Sequence, residues 1–112
     1  MKLFISQPMR DKTDEEIKAV RAKAIETVKE IYGRDVEVID SFFESAPHDA
    51  KPLWFLGKSF ELLSGADVVF FAKGYSSYRG CMMEYEACCQ YGIDKILEDH
   101  NEIGSITKLC GI

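Results

Sequence analysis

The stretch Asp67-Val68-Val69-Phe70-Phe71-Ala72 decides the fold, because it is the clearest strand in the sequence. Its unbroken apolar run indicates a strand that is buried on both faces, as in a parallel sheet covered by helices on each side. A polar, tyrosine-bearing loop from Lys73 to Arg79 follows it. A helix from about Gly80 to Tyr91, closed by Gly92, comes next, so the segment has the strand–loop–helix order of an α/β protein.

Three more short apolar segments predict strands on either side of this one. They are Lys2–Ser6, Val36–Ile39 and Ile93–Leu97. The last fifteen residues are weakly patterned, so a short helical turn and an edge strand both remain open there.

Two helices separate the first three strands, the first amphipathic and the second heavily apolar. The first begins at a capping box of Thr13 and Glu16, carries apolar residues at steps of three and four, and ends at Gly33. The second begins at Pro52, which suits a first helical turn, and stops at Ser64-Gly65.

This alternation predicts parallel strands joined by right-handed helical crossovers. We expect an α/β fold, a small doubly wound (Rossmann- or flavodoxin-like) parallel sheet of four to five strands with flanking helices, in the order 2-1-3-4. The 112 residues are near the commonest domain size, so residues 1–112 are expected to form a single domain.

Composition excludes several classes of partner. The net charge is -5 and no cluster of bases forms a stripe, which disfavours nucleic acid polymers and anionic membrane surfaces. No apolar run approaches the roughly 20 residues that span a bilayer. The four cysteines have no metal-ligand spacing, and His48 and His100 lie far apart. We therefore expect a cytoplasmic protein with no metal and no cofactor.

Three loops are expected at the edge of the sheet where a ligand binds. In doubly wound sheets, ligands lie outside the carboxyl ends of the strands, where the strand order reverses. The loops at that edge run from Gln7 to Lys12, from Asp40 to Lys51 and from Lys73 to Gly80. Neither a GxGxxG fingerprint nor a phosphate-binding GxxxxGK[ST] loop is present, which argues against a dinucleotide enzyme and an NTPase.

The third loop is the richest in binding groups. It places hydroxyls, a guanidinium and two glycines directly before a helix N-terminus, an arrangement that attracts phosphate. A solvated surface loop explains the same pattern equally well. The candidate residues are Gly74, Tyr75, Ser76, Ser77, Arg79 and Gly80.

Three carboxylates are candidates for chemistry. Glu84 lies about one turn into the third helix, where its side chain can point back towards the cleft as a nucleophile or general base. An isolated glutamate at this position is also explained by its favourable interaction with the helix dipole, without a catalytic role. Asp40, at the end of the second strand, is well placed for the cleft. Asp67 begins the third strand, at the opposite edge, where a helix-to-strand turn residue is the simpler interpretation.

The first loop adds further candidates. Arg10 is either a second phosphate ligand or a surface charge, and Met9 offers an apolar surface for a base or sugar.

Two stretches resemble the nucleoside 2-deoxyribosyltransferase-like superfamily, especially its small phage and bacterial domains. One is the opening Phe4-Ile5-Ser6-Gln7-Pro8-Met9. The other is Ala66-Asp67-Val68-Val69-Phe70-Phe71, followed by Gly80-Cys81-Met82-Met83-Glu84 and then Gly92. The resemblance runs from Lys2 to about Leu97, and the spacing of Gly80, Glu84 and Gly92 is its most specific part.

This resemblance implies a function. In characterised relatives the glutamate at this position attacks C1′ of a 2′-deoxynucleoside or its 5′-monophosphate, and a second base or water resolves the ester. It therefore implies Glu84 as the nucleophile, Asp67 as a supporting catalytic residue, a nucleoside or nucleotide substrate, and a homodimer or larger homo-oligomer. It also implies sugar or phosphate contacts from Ser6, Arg10, Ser76, Ser77 and Arg79.

Two positions favour other functions. Phe4 stands where relatives with transferase activity often carry a tyrosine, and Gln7 stands in place of a common glycine, where its side chain fills part of the pocket. A nucleotide-binding module that senses its ligand without turnover is therefore the second hypothesis. A phage accessory protein with a vestigial pocket is the third.

Overall fold

The computed structural model describes residues 1–8, 12–40 and 48–98. Strands and helices alternate along these residues, with a short 3₁₀ turn at Tyr75–Ser77 before the last helix. In chain order the elements are β1 (Lys2–Ser6), α1 (Asp14–Tyr32), β2 (Glu37–Val38), α2 (Pro52–Leu63), β3 (Val68–Phe71), α3 (Arg79–Tyr91) and β4 (Asp94–Leu97).

The four strands form one parallel sheet in the order β2-β1-β3-β4. This confirms the expected fold class and strand order. Ser6 at the end of β1 is in register with Phe71 at the end of β3, and Phe71 with Leu97 at the end of β4. The carboxyl ends of these three strands therefore lie level along one edge.

Alternating side chains of the strands fill a core on each face of the sheet. Leu3 and Ile5 of β1 pack with Ala24 and Val28 of α1 on one face. Phe4 points to the other face, into a cluster completed by Leu63, Val69, Phe71, Cys88 and Leu97. The central strands are thus buried on both sides, as their unbroken apolar runs predict.

The predicted helix ends are confirmed. Thr13 and Glu16 form the full capping box of α1, and three acids in the first turn complement the helix dipole. Gly33 and Gly92 close α1 and α3 with φ angles of 63° and 68°, a left-handed conformation that favours glycine.

Several boundaries differ from the sequence prediction by one residue: β3 is Val68–Phe71 rather than Asp67–Ala72, and β4 begins at Asp94 rather than Ile93. Strand β2 is shorter than the predicted Val36–Ile39, because it lies at the sheet edge and pairs with β1 alone. The backbone N–H of Ile39 still donates to the carbonyl of Leu3, at 2.8 Å. Helix α3 begins one residue earlier than expected, at Arg79. The undecided segment at the C-terminus lies outside the described residues from position 99 onwards.

Within the described ranges, no helix is long and apolar enough to cross a membrane.

Candidate active site

A cleft of about 970 Å³ opens at the carboxyl edge of the sheet, beside the end of β1. The N-terminal halves of α2 and α3 form its other walls. Its lining residues are Phe4, Ile5, Ser6, Gln7, Pro8, Lys51, Pro52, Leu53, Phe55, Leu56, Ser59, Tyr78, Arg79, Gly80, Cys81, Met83 and Glu84. The cleft thus lies where the topology predicts a ligand site.

Glu84 lies in the wall of the cleft with 6% of its surface exposed. It sits in the second turn of α3, and helical side chains tilt towards the N-terminus, so the carboxyl group faces the end of β1. The hydroxyl of Ser6 donates to Oε1 of Glu84 at 2.7 Å, in a buried contact. Ser59 of α2 lines the same cleft, and its hydroxyl favours the charged form of this carboxylate.

Burial raises the pKa of Glu84 above its ordinary value, because the charged carboxylate loses hydration. The hydrogen bonds from Ser6 and Ser59 act in the opposite direction, since they stabilise the charged form. The result is a carboxylate that is poorly hydrated yet held by hydroxyl donors, a combination that suits a nucleophile or a base.

Cys81 lies one turn before Glu84 and is almost fully buried in the same wall. Burial raises the pKa of its thiol, and the nearby charge of Glu84 acts in the same direction. The thiol also shares a side-chain hydrogen bond with Ser6, which lowers its pKa in part. A protonated thiol is a weak nucleophile, so Glu84 is the better candidate of the two.

The charged residues around the cleft fall into two groups, one buried and one exposed. Glu84 is the single acidic side chain among the described lining residues, and Lys51 and Arg79 are the basic ones. Both basic side chains are exposed, and within the described part of the chain neither forms an ion pair. The cleft therefore combines one buried carboxylate with a cationic rim.

Five of the residues proposed from sequence line this cleft together: Ser6, Gln7, Arg79, Gly80 and Glu84. The amide of Gln7 is directed to α1, where Nε2 donates to the carbonyl of Ile17 at 3.4 Å and Oε1 accepts from Arg21 at 3.5 Å. A Cβ built on Gly80 would meet open space, so a ligand can approach the backbone there.

Asp67 requires a correction. Its carboxylate accepts the backbone N–H of Lys2 at 2.7 Å, at the amino end of β1 and β3. Ser6 and Glu84 lie at the other end of the strand, about 13 Å away for four residues of extended chain. The position expected from the strand pattern is therefore right, and the structure does not bring Asp67 to the cleft that Glu84 lines.

Most of the third loop also lies away from the cleft. Tyr75 packs against Phe71 and Tyr85, with ring centroids 5.3 and 5.6 Å away, and belongs to the core on that face. Gly74, Ser76 and Ser77 form or precede the 3₁₀ turn and are absent from the lining. Asp40 is absent from it too, and its charge acts on Arg21 of α1. Met9 and Arg10 lie outside the described residues.

The contribution of α2 was missed from sequence. Leu53, Phe55, Leu56 and Ser59 line the cleft, although the sequence analysis placed the binding groups in three loops and none of them in α2. Four consecutive apolar residues from Leu53 to Leu56 cover more than one face of a helix, and that signal was available. Ser59 gave no such signal, because a single serine in an apolar helix fits many environments.

Across the described residues, no three His, Cys, Asp or Glu side chains are grouped so that they could hold a metal ion.

Comparison with known proteins adds a likeness of fold. No family model and no curated protein matches the sequence. Among solved structures, a conserved protein from Enterococcus faecalis V583 superposes with a TM-score of 0.57 at 15% identity, over 86% of this chain and 61% of that protein. The chain therefore spans about three fifths of the length of that protein.

A 2-deoxyribosyltransferase from the psychrotolerant bacterium Bacillus psychrosaccharolyticus superposes with a TM-score of 0.56. The identity is 20%, over 87% of this chain and 71% of the enzyme. At such identities the likeness concerns the backbone alone. The chain has the nucleoside 2-deoxyribosyltransferase-like fold.

Proposed function

We propose that this protein cleaves or transfers the N-glycosidic bond of a nucleoside, a deoxynucleoside or its 5′-monophosphate, with Glu84 as the nucleophile. The observation that carries the proposal is the buried carboxylate of Glu84, which faces the cleft and accepts a hydrogen bond from Ser6 at 2.7 Å. The likeness of fold to a 2-deoxyribosyltransferase supports the same class of reaction.

The reaction takes two steps. An oxygen of the Glu84 carboxylate bonds to C1′ of the sugar as the bond from C1′ to the base nitrogen breaks. The departing base keeps the bonding electron pair and takes a proton from water. Water or a second base then attacks C1′, gives up a proton to the hydroxide left by the first step and releases the carboxylate, which is the logic of retaining glycoside hydrolysis.

The walls of the cleft fit the parts of such a substrate. Leu53, Phe55 and Met83 offer apolar surface, with exposed fractions of 75%, 37% and 45%, on which a flat base can lie. Lys51 and Arg79 form a cationic rim that suits a 5′-phosphate. The volume of about 970 Å³ lies within the usual range for small-molecule sites.

The test is a chromatographic assay of base release. The protein is incubated with a panel of nucleosides and 5′-monophosphates, with and without an acceptor base, beside Glu84→Gln. Glu86→Gln is the matched control, because Glu86 is exposed on the same helix and binds Gln90. We expect Glu84→Gln to lose at least a thousandfold in rate, about 4 kcal/mol of transition-state stabilisation, and Glu86→Gln to match the wild type.

Each outcome of this assay assigns the protein to a class. Release that needs an acceptor base indicates a transferase, and release into water alone indicates a hydrolase. Tight ligand binding without release, equal in Glu84→Gln and the wild type, contradicts the proposal and supports the sensing module. Phe4 favours that second candidate, because its buried ring offers no hydroxyl to the carboxylate of Glu84.

We also infer that the chain forms a homodimer or a larger homo-oligomer. Helices α2 and α3 expose large apolar side chains, namely Leu53, Phe60, Met82 and Tyr91, and exposed apolar surface of this kind marks contact sites. Sedimentation equilibrium tests this inference, and a single species at the mass of one chain would contradict it.

A further inference from the structure

Ser6 is the last residue of β1, and the sheet fixes its backbone. Its carbonyl accepts the N–H of Ala72 at 2.9 Å, just beyond the end of β3. Side chains alternate between the two faces of a strand, so Ser6 points to the same face as Phe4. On that face Phe4 shares a buried cluster with Cys88 of α3, the helix that also carries Glu84. The strand itself therefore carries the hydroxyl of Ser6 towards Glu84.

The hydroxyl of Ser6 is fully used by its contact with Glu84. It donates to Oε1 at 2.7 Å, a length typical of a hydrogen bond from a hydroxyl to a charged oxygen. A serine has one such proton, and 2% of the surface of Ser6 is exposed. The geometry therefore favours a role for Ser6 at the carboxylate over the sugar or phosphate contact that the resemblance implies.

A carboxylate needs a contact of this kind to keep a single orientation. The terminal torsion of a glutamate side chain has no steep rotamer preference, so an unbound carboxylate samples many planes. A hydroxyl on a rigid strand that binds Oε1 limits this rotation and stabilises the charged form. Ser6 is the residue of β1 that carries a hydroxyl, and the ring of Phe4 on the same face offers none.

Resting on the proposed function, we propose that Ser6 is a positioning residue: its hydroxyl holds the carboxylate of Glu84 in the orientation that attacks C1′, rather than binding the substrate. A role in substrate binding predicts instead a higher KM and an unchanged titration of Glu84. A contact that serves the fold alone predicts a lower free energy of unfolding, with kcat unchanged wherever Glu84 is ionised.

The other charged and titratable groups that line the cleft must be considered in the same test. They are Cys81, Tyr78 and Arg79 on α3 and at its N-terminus, and Lys51 at the start of α2. The hydroxyl of Ser6 lowers the pKa of the Cys81 thiol, against the larger opposite effect of burial. Loss of that hydroxyl therefore leaves the thiol protonated and adds no charge beside Glu84.

The experiment compares Ser6→Ala, Ser6→Thr and the control Ser64→Ala. Ser64 lies at the far end of α2, where its hydroxyl donates to the carbonyl of Glu61 at 2.6 Å, outside the cleft. The titration of Glu84 is followed by NMR on protein with ¹³C-labelled glutamate carboxyl groups, and its signal is the one that Glu84→Gln removes. Base release is measured across the same pH range as kcat and KM.

The value of kcat is compared on the high-pH plateau, where Glu84 is ionised in every variant. A loss that persists there reports the orientation of the carboxylate and not its charge. We expect Ser6→Ala to raise the pKa of Glu84, because a donor to the charged form is lost. We also expect it to lower kcat on the plateau about tenfold, with KM within about twofold of the wild type. Ser6→Thr retains the hydroxyl and should restore both values, and Ser64→Ala should change neither.

Two results overturn the positioning role. One is a plateau kcat in Ser6→Ala equal to that of the wild type. The other is a raised KM with Glu84 titrating at the wild-type pH, which would assign Ser6 to substrate binding. If the wild type releases no base, the proposed function fails, and the titration still decides whether Ser6 holds the carboxylate of Glu84.

Discussion

The two ends of the central sheet each carry a carboxylate, and the two differ in almost every respect. Asp67 at the amino end is exposed and accepts one backbone N–H, from Lys2. Glu84 at the carboxyl end is buried, accepts a hydrogen bond from the hydroxyl of Ser6 and faces a cleft. Sequence resemblance implied a catalytic role for both. The comparison therefore separates the role that a motif implies from the environment in which each carboxylate lies.

The two carboxylates differ in burial and in hydroxyl donors, which are the properties that tune the reactivity of a carboxyl group. At the amino end, water hydrates Asp67, and its contact with the backbone of Lys2 joins the starts of β1 and β3. At the carboxyl end, loss of hydration raises the pKa of Glu84 while the hydroxyls favour its charged form. We therefore propose that the reaction takes place at the carboxyl end of the sheet alone.

The largest expected effect that sharpens this comparison is the pH dependence of base release. Attack on C1′ needs the carboxylate of Glu84, whose pKa is raised by burial. We expect kcat/KM to fall about tenfold per pH unit below that pKa, with the midpoint above the ordinary glutamate value of about 4.3. The profile is measured with wild type and Asp67→Asn, which should superimpose. A midpoint that differs between Asp67→Asn and the wild type would contradict the claim that Asp67 lies outside the reaction.

A smaller effect is expected on stability. Since the pKa of Glu84 is raised in the folded state, its contribution to stability is fully present below the unfolded pKa and is lost as pH rises through the folded pKa. At neutral pH the buried charge is a cost, so Glu84→Gln should raise the free energy of unfolding by about 1 kcal/mol. Urea denaturation at neutral and acidic pH checks this, and the gain should shrink towards acid. A variant less stable than the wild type at neutral pH would contradict the assigned environment.

The smallest effect is expected at the amino end. Asp67→Asn keeps an oxygen that can accept the N–H of Lys2, so the free energy of unfolding should fall by no more than about 0.5 kcal/mol. Base release should stay within about twofold of the wild type, because the substitution lies about 13 Å along the strand from the end of β1. A tenfold loss in kcat with unchanged stability would return Asp67 to the catalytic machinery.

The fold was predictable from sequence because its signals are local and repeated. The apolar run from Val68 to Phe71, the capping box at Thr13 and the closing Gly92 each mark an element, and right-handed crossovers then restrict the order of the strands. The direction of Glu84 also followed from helix geometry.

Much of the site was not predictable in the same way. Ser59 of α2 and Glu84 of α3 line one cleft, and no local pattern in a sequence encodes the approach of two helices. Tyr75 was predicted as a binding residue because tyrosine suits loops and cores alike. Its packing on Phe71 depends on the folded chain, so the loop sequence alone does not reveal it. Asp67 was assigned a catalytic role from the motif, although its position at the start of β3 places it at the edge of the sheet opposite the cleft.

The most direct test of the central claim, that Glu84 forms a covalent bond to the sugar, is intact-mass spectrometry after acid quench. Wild-type protein is mixed with the substrate that the release assay identifies, quenched during turnover and then digested. We expect a fraction of the protein to gain the mass of one sugar residue, and the modified peptide to contain Glu84, with no adduct in Glu84→Gln. Turnover that proceeds with no adduct at any quench time, or with the adduct on another residue, would contradict the account.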